Sequence, residues 1–151
     1  MPDGRITRRP LITVAFLGLT GCFGSSTAVV TPAPRVYFVG PVNNAYVTSP
    51  LRVVLGVQDL TLVPACAPSQ PCPKPVPGQG HHHLIIDRSP FPQKTAIPYA
   101  PNIVHYGGGQ AAMDVELTPS LHTLTAQFAN TKHEVCCAFK ESIQVTVVTL
   151  Q

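Results

Sequence analysis

Tryptophan is absent from this 151-residue chain, and charge is scarce: Asp, Glu, Lys and Arg together make 11%. Arg5, Arg8, Arg9 and Asp3 fall within the first 21 residues, so the remainder carries seven basic and six acidic side chains. A near-neutral body without a basic patch excludes nucleic acid as the expected partner. No apolar run is long enough to span a bilayer as a helix; the longest, Leu11 to Leu19, is far short of the ~20 residues required. No amphipathic helical period stands out either. Gly107-Gly108-Gly109 lacks the strand-and-helix context of a phosphate-binding loop, which excludes nucleotide binding.

What the chain does have is proline, 17 residues of it, between short runs of alternating apolar residues. Arg35 to Val39 is rich in β-branched and aromatic residues. Leu51, Val53, Leu55 and Val57 share one face of an extended segment. His82 to Asp87 is the next candidate strand, followed by Met113 to Leu117, Leu124 to Phe128 (with His122 at its start) and Ile143 to Val147. Pro64 to Gly80, with six prolines, cannot form a central strand because proline lacks the ladder donor. Ser89 to Gly109 and Asn130 to Lys140 read as further loops. Six or seven short strands without a helix predict an all-β fold, a small antiparallel immunoglobulin-like β-sandwich.

The N-terminus reads as an export signal over residues 1–21: a basic start, a short apolar run, then Leu19-Thr20-Gly21-Cys22. This resembles the bacterial lipobox, which implies cleavage before Cys22 and lipidation of its thiol. Arg8-Arg9 also resembles a twin-arginine signal. Residues 22–34 are small, polar and proline-containing, as in a tether, and residues 35–151 form the sandwich domain. The expected location is the bacterial cell envelope, membrane-anchored and facing the periplasm or exterior. The membrane is then a partner through the lipid, with an envelope protein as a further partner. Cys66, Cys72, Cys136 and Cys137 remain as disulfide candidates in an oxidising compartment. A local Cys66–Cys72 bond would leave two sequence neighbours to pair, whereas two cross-links between the loops would avoid that strain.

The chemistry lies in the six histidines. Strand alternation sends His81 and His83 to one face, roughly 7 Å apart at Cα, and His82 to the other with Leu84 and Ile86. Two imidazoles on one face can converge on an ion, with further ligands from His105, His122 or His133. The candidate metal set is therefore His81, His83, His105, His122 and His133, and a nitrogen-rich set suits copper or zinc. The alternative function is a non-metal structural or protein-interaction module of the envelope, with the imidazoles packing and hydrogen-bonding. Cys136 beside His133 has the makings of a nucleophile and base, but exported cysteines usually pair. No catalytic residue is assigned, and the protein is not expected to be an enzyme.

Gly80-His81-His82-His83-Leu84-Ile85-Ile86-Asp87, His105-Tyr106-Gly107-Gly108-Gly109-Gln110 and Leu121-His122-Thr123-Leu124, taken in order, resemble the bacterial family called domain of unknown function 4399. Val36-Tyr37-Phe38, Pro41 and Ser49-Pro50 are similar too, so the resemblance covers residues 35 to 150. It implies a small exported β domain and no known activity. The family often carries a histidine where this chain has Ile103, and a second histidine near His133 where this chain has Cys136 and Cys137.

Overall fold

The computed structural model describes residues 32–149 apart from Pro68. The export signal, Cys22 and the tether as far as Thr31 lie outside the described residues. Nine strands and no helix occur among those described: β1 (Arg35–Gly40), β2 (Ala45–Val47), β3 (Leu51–Gln58), β4 (Thr61–Leu62), β5 (Gln79–Ile86), β6 (Ile103–His105), β7 (Ala112–Val115), β8 (Leu121–Ala129) and β9 (Lys140–Val147). They build two packed sheets. One has the order β1-β3-β7; the other runs β2-β9-β8-β5-β4, with β6 also pairing β5.

Alternation explains the inner faces. Leu51, Val53 and Leu55 of β3 point inward, all but inaccessible, while Arg52 points out and pairs across the ladder with Asp114 at 3.2 Å. On the opposite sheet Leu84 and Ile86 of β5, Leu124, Ala126 and Phe128 of β8, and Ile143 and Val145 of β9 close the same core. Each of these side chains other than Ala126 contributes about 1.5–3 kcal/mol of burial.

The sequence predicts a wholly antiparallel sandwich, and most pairings are antiparallel. Two are parallel: β2 with β9, and β4 with β5. Both involve strands of two or three residues, too short to show a period. β5 begins at Gln79, earlier than expected, and is buried from Gly80 through Ile86 on both faces. The second face is covered by a smaller cluster of Ile97, Ile103, Ala129 and Val135, with Phe91 and Ala100 against it. Thus the segment after Ser89 is not merely a connection; it roofs the outer face of the sheet.

Gly80 opens this arrangement. A Cβ there would lie 2.0 Å from the carbonyl oxygen of Ala129, so only glycine lets the end of β8 lie against the start of β5.

The cysteines divide. Cys66 and Cys72 form a disulfide across their own loop, and Cys136 and Cys137 are free thiols. The local pairing of the first two replaces the cross-linking alternative: their Cα atoms stand 5.4 Å apart, within the range a disulfide spans.

Candidate metal centre

The outer face of β5 presents His81 and His83, and the pleat places their ring centroids 4.6 Å apart. Antiparallel pairing with β6 sets His105 directly opposite His83, at 4.5 Å between rings. The fourth imidazole comes from a loop. Asn130 folds that loop by accepting the amides of Lys132 and Glu134 on its side-chain oxygen, at 2.8 and 3.1 Å. His133 follows with a left-handed φ of 64°. Its ring then lies 4.9 Å from that of His81 and 5.1 Å from that of His105.

One ligand-type nitrogen from each of His81, His83, His105 and His133 lies within 4.8 Å of all the others, so the four could hold a metal ion. Metal–nitrogen bonds of about 2.0–2.1 Å in a tetrahedral set place the nitrogens roughly 3.4 Å apart, so the group would close in by at most about 1.4 Å to hold an ion.

The protonation states suit the task. Burial, and then the neighbouring imidazoles, hold His81 down to about 4 and His83 down to about 2. His105 and His133 are lowered in the same direction, mainly by burial. All four are therefore neutral at pH 7, the form that ligates. Neither ring nitrogen of His81 or His83 has a hydrogen-bond partner in the protein, although both are buried. Buried polar atoms without partners cost about 1–3 kcal/mol each, and an ion would satisfy one on each ring.

The outer nitrogens of the loop histidines are held. Nε2 of His105 lies 3.3 Å from the carbonyl oxygen of Pro98. A carbonyl can only accept, so Nε2 donates and the buried Nδ1, which has no partner in the protein, keeps its lone pair. Tyr99 stacks on His105 at 4.1 Å, and its hydroxyl lies 3.4 Å from Nε2 of His133. Such contacts fix tautomer and ring orientation in metal sites. Tyr99, exposed in a proline-flanked loop, carries no period or motif that would flag it in the sequence.

His82 faces the other way. Its ring packs edge-on to Tyr106 and Phe128, at 6.0 and 6.3 Å between centroids, inside the sandwich.

His122, included among the candidate ligands on sequence grounds, stands outside the group. Its Nδ1 donates to the Asp87 carboxylate at 2.6 Å, and its Nε2 lies 2.8 Å from the Thr118 carbonyl, which accepts from the charged ring, and 3.0 Å from Ser120 Oγ, which donates to the neutral one. Both ring nitrogens are thus engaged within the protein, and the ring in its charged form has no lone pair for a metal. Burial pulls its pKa down, but the Thr118 carbonyl and the Asp87 carboxylate outweigh it and the net shift is upward. A raised value stabilises the fold fully below the unfolded pKa near 6.5, and the contribution is lost as pH rises through the folded value. Because Asp87 is half exposed, the contribution stays within about 1 kcal/mol. In an NMR titration His122 should protonate above pH 6.5, and Asp87→Asn should move that midpoint down. An unmoved midpoint would show that the carboxylate does not hold the proton.

The model of the family described as "Domain of unknown function (DUF4399)" matches residues 53–148. No curated protein matches the chain, and neither does any solved structure.

Proposed function

We propose that this chain, which belongs to the DUF4399 family, is an exported, lipid-anchored β-sandwich that binds copper or zinc through His81, His83, His105 and His133. One observation carries the metal reading: four neutral imidazoles from three separate segments converge within 4.8 Å. Nitrogen donors of this kind favour zinc or copper over magnesium or calcium, which prefer oxygen. The reading is one of binding rather than catalysis, because four protein ligands saturate a tetrahedral ion and leave no open position for a substrate. Export and anchoring rest on the basic start, the short apolar run and Leu19-Thr20-Gly21-Cys22.

Untagged protein titrated calorimetrically with Zn(II) and Cu(II) at pH 7 should take up one ion per chain. Heats no larger than those of scattered surface histidines would reject the metal reading and favour the packing module. For the anchor, cells given labelled fatty acid should label the wild type and not Cys22→Ala; label on the variant would reject lipidation at that residue.

A further inference from the structure

Cys136 and Cys137 are left over from both the disulfide and the imidazole cluster. Their Sγ atoms are 2.9 Å apart, and Cys136 is exposed. Both line a pocket of about 310 Å³ walled by Leu60, Val76, Pro77 and Phe139, to which no histidine and no carboxylate contributes. The proline-rich loop thus folds back over the thiols and gives them an apolar, partly closed surrounding.

We propose that Cys136 and Cys137 form a second metal site, a dithiolate for monovalent copper. The donor set decides the class of ion. Thiolates select soft cations, and hard, strongly hydrated ions would find no carboxylate among the residues of this pocket. Zinc normally takes four protein ligands in a closed site, and two sulfurs do not supply them. Monovalent copper is content with few ligands and sheds water readily into apolar walls. Rotation about the two Cα–Cβ bonds opens the sulfurs around it. Both thiol protons pass to solvent, and no electron changes hands. The Cys136 thiol, hydrogen-bonded by its neighbour, is lowered below its ordinary value and ionises first, while the same contact pushes the Cys137 thiol up, so the second proton leaves only as the ion takes its place. A disulfide between sequence neighbours is strained and strained disulfides are readily reduced, so the pair is not locked away from metal as Cys66 and Cys72 are.

The test is an anaerobic Cu(I) titration of phosphine-reduced protein against a coloured copper(I) chelator. The probe is Cu(I) alone, with the sulfur-to-copper charge-transfer absorption as a second readout. Wild type should withdraw copper from the chelator and develop the band. Cys136→Ser/Cys137→Ser should lose the band and the copper held by sulfur, keeping only what the imidazoles take up, while Cys66→Ser/Cys72→Ser should keep both. Circular dichroism of the serine pair should match wild type. Copper uptake and band unaffected by Cys136→Ser/Cys137→Ser would overturn the proposal. Because the charge-transfer band requires sulfur, failure of this site is distinguishable from failure of the imidazole site.

Discussion

His81→Ala and His83→Ala should each lower copper or zinc affinity by more than about 100-fold, beyond the ~10–100-fold that outer-shell partners of a ligand typically cost. Both side chains project from a fully buried strand, and the remaining imidazoles cannot shift far enough to close the shell. His105→Ala and His133→Ala should also lose affinity, somewhat less because these two side chains are only partly buried and water can stand in their place. Tyr99→Phe removes the hydroxyl near His133 while keeping the stack on His105, and should cost about tenfold. His82→Leu and His122→Ala should leave affinity unchanged. Calorimetric titration of these variants against untagged wild type ranks them. If His82→Leu were the damaging change, the register of β5 would be wrong by one residue, which would send every side chain of the strand to the opposite face.

The second large effect is acid sensitivity of the metal-free domain. His81 and His82 are held down to about 4 and His83 to about 2, in each case first by burial. The unfolded chain protonates these rings near pH 6.5, whereas the folded domain does not. Stability contributed by the neutral rings is therefore complete above pH 6.5 and falls as pH drops through the window down to about 4, continuing for His83 toward about 2. Each unit of separation is worth about 1.4 kcal/mol per group, against a total stability of about 5–15 kcal/mol. His122 acts in the opposite direction, but it is one group against three. Denaturant midpoints should fall steeply between pH 6.5 and 4, and His82→Leu should flatten part of that slope. Free zinc at 100 times its dissociation constant should add about 2.7 kcal/mol at pH 7 and progressively less in acid, where protons compete for the imidazoles. A flat profile from pH 7 to 4 would mean that the three rings are reached by solvent in the folded state.

Much of this arrangement was legible because the strand period is two. Alternation alone separates His81 and His83 from His82, and the same rule finds the inner faces of β3, β8 and β9. It fails where elements are shorter than the period needs. β6 is three residues long between Pro101 and the glycine run, and only its register with β5 explains how His105 reaches His83. His133 stood among the candidate ligands, but what carries it to His81, the Asn130 turn and a left-handed backbone, is not visible in the sequence. His122 misled for a similar reason: its carboxylate partner lies 35 residues earlier, and no local pattern links the two. The cysteine pairing was undecidable from spacing, because whether the loops approach each other is a tertiary fact.

The segment leading into β6 and the loop carrying His133 are joined by backbone hydrogen bonds from Ile97 to His133, from Lys94 to Val135 and from Val135 to Thr95. An ion bridging β5, β6 and the turn after β8 would act as a staple between segments far apart in the chain. The disulfide at Cys66 and Cys72 closes a loop of sequence separation 6, which removes little freedom from an unfolded chain. The entropy removed by closure grows with loop length. The imidazole cluster, not the disulfide, is therefore the place where a single added bond set would most restrict the unfolded polypeptide.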